Sequence, residues 1–199
     1  MIAIIDYGMG NLHSVQKAFE AVGAKAQISQ KAEQIKSADK IVLPGVGAMA
    51  CAMQRLEELG LIPVIKEVIA QKKPFLGICL GMQLLFNESE EGGKVCGLGI
   101  LPGAVRKFRS LKVPHMGWNQ LKKKTDCGLF TGISDDSFVY FCHSYYCAPT
   151  EAGIIATETA YGINFASGVC SDNIWAVQFH PEKSQQLGLQ MLKNFANLK

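Results

Sequence analysis

Phe75-Leu76-Gly77-Ile78-Cys79-Leu80-Gly81-Met82-Gln83 is the stretch from which the rest of the chain can be read. Phe75 to Ile78 is a short, continuous apolar run, as expected of a parallel strand covered on both faces, and Leu80 to Phe86 is compatible with a helix. Between them stands Gly-x-Cys-x-Gly, a nucleophile-elbow pattern with cysteine in place of serine. A nucleophile on such a strand-to-helix turn takes a strained backbone conformation and brings residues two positions away too close for side chains. Glycine at 77 and 81 relieves that crowding. The following helix points its first amides toward the sulfur, which favours thiolate over thiol.

Outward from the elbow, the first half of the chain alternates strand and helix. Ile2 to Asp6 is apolar and ends in the turn Tyr7-Gly8-Met9-Gly10. Asn11 then caps a helix in which Leu12, Val15, Phe19 and Val22 recur at helical spacing before Gly23. Ala26 to Ser29 and Lys40 to Leu43 read as the second and third strands, and Met49 to Leu59 and Pro63 to Ala70 as helices, with Pro63 acceptable in a first turn. This is the rhythm of a doubly wound α/β sheet. The second half changes to hairpin-like segments: Trp118 to Leu121, Phe138 to Tyr146, Ile154 to Thr159 and Phe165 to Val169. The run Ile174 to Phe179 returns to the main sheet, and Ser184 caps a closing helix carrying Leu187, Met191, Leu192, Phe195 and Leu198 on one face. The expected architecture is a flavodoxin-like mixed central sheet flanked by helices, parallel in its first half, with antiparallel strands added on one edge.

Composition narrows the function classes. The chain has 199 residues, 48% hydrophobic and 19% charged, enough for one substantial core, and no linker or repeat divides it. No run approaches the ~18 to 20 apolar residues of a membrane span, and Ile2 to Ile5 has no leader-like flanks, so neither a membrane nor a secreted protein is expected. A net charge of +3 is too small and scattered for a nucleic-acid surface; Lys122 to Lys124 is the one basic triplet and reads as solvated. Seven cysteines, an odd and dispersed set, fit free thiols in a reducing cytoplasm, most of them as small buried side chains. Cys142 and Cys147 flank His143 with no second cluster, so no metal site is expected. Gly8-x-Gly10 lacks the third glycine of a dinucleotide fingerprint, because position 13 is His, and no cofactor is expected.

A thiolate nucleophile needs a base. Of His13, His115, His143 and His180, the last follows an apolar strand and emerges at the same sheet edge as Cys79. In His180-Pro181-Glu182 the fixed proline lets Glu182 turn back to orient the imidazole. For the oxyanion, Leu80 N–H is one donor. The loop Pro44-Gly45-Val46-Gly47 offers amides of Val46 and Gly47, or is simply a strand-to-helix turn.

Pro-Gly-Val-Gly at 44 to 47, Gly-Ile-Cys-Leu-Gly-Met-Gln at 77 to 83 and His-Pro-Glu at 180 to 182 together resemble the class I (triad) glutamine amidotransferases. Asp6 to Leu12, Pro114-His115-Met116-Gly117-Trp118-Asn119 and His143-Ser144-Tyr145 are similar to the glutaminase subunits of imidazole glycerol phosphate synthase. The resemblance implies one amidotransferase domain over 1–199. In it Cys79 attacks L-glutamine, His180 shuttles the proton, Glu182 holds His180, and water releases glutamate from a thioester. It further implies that Gln83 and Glu91, with backbone around Gly47, Ser144 and Tyr145, hold the amino-acid end of glutamine. The implied partner is a separate (β/α)8-barrel cyclase, reached by ammonia through a dry passage that keeps it unprotonated, as nothing follows the closing helix to hold a synthase. Asn11, Met116, Trp118, Tyr140 and Lys183 match docking positions, although Trp118 and Tyr140 also read as core aromatics. The family implies low activity until the partner is bound, with reorientation of a peptide in Gly45-Val46-Gly47 as the switch. The alternatives are a paralogous glutaminase feeding another synthase, and a non-catalytic binding module on the same fold.

Overall fold

In the computed structural model, which describes residues 1–109 and 111–198, the apolar runs become strands whose alternate side chains enter two different cores. The first half gives β1 (Ile2–Ile5), α1 (Leu12–Ala21), β2 (Ala26–Ser29), α2 (Ala32–Ser37), β3 (Lys40–Leu43), α3 (Met49–Glu58), α4 (Leu61–Ala70), β4 (Phe75–Ile78) and α5 (Leu80–Gln83). The second half gives β5 (Phe86–Ser89), β6 (Val95–Cys96), β7 (Leu101–Lys107), β8 (His115–Gln120), β9 (Lys122–Lys123), β10 (Phe138–His143), β11 (Tyr145–Pro149), β12 (Ile155–Ala160), β13 (Asn164–Ser171), β14 (Ile174–Val177) and α6 (Gln185–Asn197). The main sheet runs β2-β1-β3-β4-β14-β13-β11-β7-β5-β6. Its first five strands are parallel, in the strand order of flavodoxin-like folds. From β14 to β13, β11 and β7 the pairing is antiparallel.

Strand parity separates the cores. Ala3, Ile5, Leu43, Phe75 and Ala176 face α2, α3 and α4 through Ile35, Met49, Leu56 and Ile65. Ile2, Ile4, Val42, Leu76 and Val177 face α1 and α6 through Val15, Phe19, Met191, Leu192 and Phe195. Phe19 and Phe195 meet at 6.2 Å between ring centroids; burial of each large side chain is worth about 1.5–3 kcal/mol. Asn11 accepts from Ser14 N at 3.4 Å, as its place before α1 predicts, and Gly23 ends that helix with φ +81°.

Several expectations need correction. α2 was not foreseen, because only Ile35 of its six residues is buried and no period is visible. The helix after Cys79 ends at Gln83, not Phe86, and Phe86 begins β5, which lies parallel to β7. The segment Phe138 to Tyr146 breaks at Ser144: β10 pairs with β8 in a separate two-stranded sheet, while β11 joins the main one. The last main-sheet strand stops at Val177. Ser184 precedes α6 without capping it, since its hydroxyl donates to His180 O and accepts from Tyr140 N. Of the cysteines only Cys79 and Cys147 are buried. Cys51 lies on the solvent side of α3, opposite Met49, Ala52 and Leu56, and Cys96 sits on the two-residue edge strand β6. Lys122 and Lys123 are exposed and Lys124 pairs with Glu158, as a solvated triplet should. No described helix is long and apolar enough to cross a membrane.

A Cβ at Gly81 would lie 1.7 Å from the Leu43 carbonyl oxygen, whereas one at Gly23 would meet nothing within 4 Å. Urea denaturation should therefore show Gly81→Ala destabilised by about 3 kcal/mol or more. Gly23→Ala should lose only the left-handed backbone penalty, about 1–2 kcal/mol. Equal losses would place the constraint elsewhere.

Candidate active site

Cys79 is the residue between β4 and α5, with φ +55° and ψ −108°. Its main-chain N donates to Val177 O at 2.8 Å, which fixes the turn against β14. Both flanking glycines are required: a Cβ at Gly77 would meet the Gly81 carbonyl at 2.9 Å, and Gly81 is pressed on β3. Strain of this kind is held only where the surroundings over-determine it, and here two strands do so.

β14 carries His180 to the same edge. Its Nδ1 bonds Glu182 Oε1 at 2.8 Å, with both side chains almost wholly buried. The turn Pro181–Lys183 brings Glu182 back under the ring, as the proline predicts. Burial opposes charge on His180, but the facing Cys79 sulfur and Glu182 carboxylate outweigh it and push its pKa up to about 10. His180 N also donates to Tyr140 O at 2.9 Å, so β10 grips the histidine from the second sheet.

Cys79, Leu80 and His180 line a cavity of about 470 Å³ with Val46, Gly47, Gln83, Glu91, His143, Ser144, Tyr145 and Lys183. Every residue expected in catalysis and substrate binding except Glu182, which lies behind His180, therefore borders one space. Glu91 Oε2 accepts from Met49 N at 2.7 Å, placing a carboxylate at the start of α3. Gln83 Nε2 donates to Tyr145 O and to Gln178 Oε1, both at 3.0 Å, so the group it can offer a ligand is its Oε1 acceptor. Leu80 N donates to Gly45 O at 3.4 Å, which turns a carbonyl, not an amide, toward the would-be oxyanion donor. Beneath Gly45 lies the Tyr7 hydroxyl, fully buried and without a partner among the described residues.

The docking candidates divide. Met116 and Trp118 are 61% and 46% exposed, so Trp118 is not a core aromatic, and Tyr140 is half-buried against it at 6.0 Å. Lys183 Nζ stands 5.8 Å from the Tyr140 ring centroid. The same face carries exposed Phe138, whose sequence context signals only a strand. Asn11 is exposed at the head of α1.

The sequence reading also missed a buried histidine pair. His115 and His143 are directly opposed on β8 and β10, and His115 Nδ1 lies 2.9 Å from His143 Nε2. His143 Nδ1 must donate to Tyr145 O at 2.7 Å, so its Nε2 accepts and His115 Nδ1 donates. Asn119 Nδ2 then donates to His115 Nε2 at 3.1 Å. Both rings are neutral donors and acceptors in one direction. Burial pushes His115 down to about 4 and His143 to about 3, with the Tyr145 carbonyl partly opposing the latter.

With this geometry on hand, the class follows: the class-I glutamine amidotransferase family profile matches residues 3–198, and the chain belongs to that family. It is a glutamine amidotransferase, and relatives narrow the kind. The chain is 52% identical to imidazole glycerol phosphate synthase subunit HisH of Geobacter metallireducens, covering 98% of this chain and 97% of that one. It is 50% identical to HisH of Syntrophotalea carbinolica with both chains fully covered. Among solved structures it is similar in fold to a glutamine amidotransferase at TM-score 0.78 and 16% identity, with both chains fully covered. PurLQS of Thermotoga maritima superimposes at TM-score 0.72 and 17% identity, covering 98% and 94%.

The histidines set opposite pH dependences. Unfolded, each binds its proton near 6.5. Native His115 and His143 bind only near 4 and 3, so stability falls as pH drops below about 6.5. Native His180 holds its proton to about 10, so its contribution is complete below about 6.5 and is lost as pH rises through 10. Urea titrations should show greatest stability near pH 6.5, and His143→Gln should remove about one proton from the acid slope between pH 6.5 and 5. An unchanged slope would mean that His143 is charged in the native protein.

Proposed function

We propose that residues 1–199 work as one glutamine amidotransferase domain, with Cys79 as nucleophile, His180 as proton shuttle and Glu182 as the group that orients His180. The chain is the glutaminase subunit of imidazole glycerol phosphate synthase in histidine biosynthesis. The observation that carries the triad assignment is Cys79 at φ +55° in one cavity with a His180 already bound to a buried Glu182.

The Cys79 proton passes to His180 as the sulfur attacks the side-chain amide carbon of L-glutamine, and the carbonyl oxygen becomes an oxyanion. His180 gives its proton to the departing nitrogen, ammonia leaves, and a γ-glutamyl thioester remains. His180 then takes a proton from water as the water attacks, and glutamate departs with the thiol restored. Glu91 and Gln83 Oε1 are acceptors suited to the α-ammonium group, and backbone around Gly47, Ser144 and Tyr145 supports the remaining amino-acid end. Leu80 N–H serves the oxyanion only when Gly45 O releases it, so a peptide in Gly45-Val46-Gly47 turns before efficient turnover and an amide of Val46 or Gly47 joins it. The trigger is a cyclase barrel docked on Asn11, Met116, Trp118, Tyr140 and Lys183, and the setting is cytoplasmic. Exposed apolar side chains beside the cavity, and the hydrogen bond from His180 N to Tyr140 O, support this route from interface to catalysis.

Glutamate release should be low for the chain alone and rise strongly with the cyclase subunit and its nucleotide. Cys79→Ala should abolish that release yet leave ammonium-dependent synthesis by the partner intact. Glu182→Gln should fold and lose about a hundredfold or more in turnover. Hydrolysis indifferent to this partner would assign the chain to another synthase, and no hydrolysis in either condition would make it a binding module.

A further inference from the structure

Behind Cys79 one main-chain oxygen orients the polar interior. The Tyr145 carbonyl can only accept, and it receives His143 Nδ1 at 2.7 Å and Gln83 Nε2 at 3.0 Å. The second N–H of Gln83 goes to Gln178 Oε1, also at 3.0 Å. With its oxygen engaged, Gln178 presents Nε2 to Cys79 Sγ at 3.7 Å. The reversed amide would set two N–H groups of Gln83 and Gln178 against each other and an oxygen against the sulfur, so this orientation is forced. Gln178 is fully buried just past β14, with its main-chain N on Ser167 O at 2.9 Å.

We propose that Gln178 is a positioning residue that holds the Cys79 sulfur as thiolate at the elbow, its amide aimed by the Tyr145 carbonyl through Gln83. This deepens the reading of Cys79 as the nucleophile and rests on it. His180 faces the same sulfur, and the Cys142 carbonyl lies 4.0 Å from Sγ, an acceptor that favours the thiol. An amide N–H favours the charged form because a bond to an ionised acceptor is the stronger one. Unlike His180, which surrenders its proton during turnover, an amide cannot transfer its hydrogen, so its support persists through both chemical steps. The remaining titratable groups around the sulfur are His180 backed by Glu182, His143 and Cys142 on β10, Tyr7 after β1, and Cys147 and Tyr145 on β11, with Glu91 and Lys183 at the cavity wall. Of these, His143 is tied to the same Tyr145 carbonyl through its Nδ1, but its Nε2 accepts from His115, so it offers the sulfur no N–H.

The test is iodoacetamide alkylation of the whole chain across pH 5 to 10, read at the Cys79 peptide by mass spectrometry, with exposed Cys51 and Cys96 as internal references. Gln178→Met keeps the length and removes the N–H. Its Cys79 alkylation midpoint should rise by about one pH unit, slowing reaction at neutral pH about tenfold. Gln178→Glu, which still accepts from Gln83, should shift it further in the same direction. A folded Gln178→Met with an unmoved midpoint overturns the proposal. In the unsubstituted ¹⁵N-labelled protein, the Gln178 side-chain amide resonance should follow the Cys79 titration and stop doing so in Cys79→Ala; a resonance insensitive to that titration overturns it even when neither variant folds. Neither measurement needs glutamine or a partner, so a shifted midpoint in a protein without glutaminase activity would sink the functional reading and keep the role of Gln178.

Discussion

The contact on which the arrangement depends is Gly81 lying against the carbonyl oxygen of Leu43, too close for any side chain. It lets the chain turn at the end of β4 within the width of the neighbouring strand. Cys79 is thereby held in a left-handed conformation between β3 and β14. Because β14 is the strand hydrogen-bonded to the elbow through Val177, the histidine it delivers arrives at fixed height relative to the sulfur. Gly45, at the end of β3, packs onto the same turn from the other side. The positions of the proposed nucleophile, base and oxyanion loop are thus consequences of three adjacent parallel strands ending together, the arrangement that makes the carboxyl edge of α/β sheets the place for chemistry.

The second sheet supplies what this edge lacks. β8 and β10 put His115 and His143 inward and Met116, Trp118, Phe138 and Tyr140 outward. The inward pair passes hydrogen bonds in one direction to Tyr145 O, and the outward face is apolar and open. His180 N on Tyr140 O, with Ser184 bonded to both residues, links this ribbon to the catalytic turn through main-chain atoms. Under the proposed function this ribbon, apolar on its outward face and holding His180 through Tyr140 on the other side, is a short mechanical path from partner to triad. Such a path would transmit only if one element has two arrangements, and the bond from Leu80 N to Gly45 O makes the loop 45–47 the element proposed for that part.

Much of this was legible in local patterns. The parallel strands and the elbow announce themselves through unbroken apolar runs and paired glycines, because covering both faces of a strand and turning without side chains are demands a few consecutive residues must meet. β5, β6 and β7 were not legible: the first two are short, and Gly92, Gly93, Gly97, Gly99 and Gly103 interrupt any period. Gln178 carried a visible signal, a lone amide inside the apolar run Ile174 to Phe179, which an alternation argument could have used. The histidine pair had none, since only strand register sets residues 115 and 143 opposite each other.

By itself the sequence determined the doubly wound half, the family, and Cys79, His180 and Glu182 as the candidate triad, because each depends on residue type and spacing within a few positions. Tertiary structure alone decided that Tyr145 O orients both a histidine pair and a glutamine pair, that Gly45 O occupies the Leu80 amide, and that Trp118 faces outward. Those facts depend on which distant acceptor lies within about 3 Å of which donor, a relation set by strand register and packing between segments that no local pattern encodes.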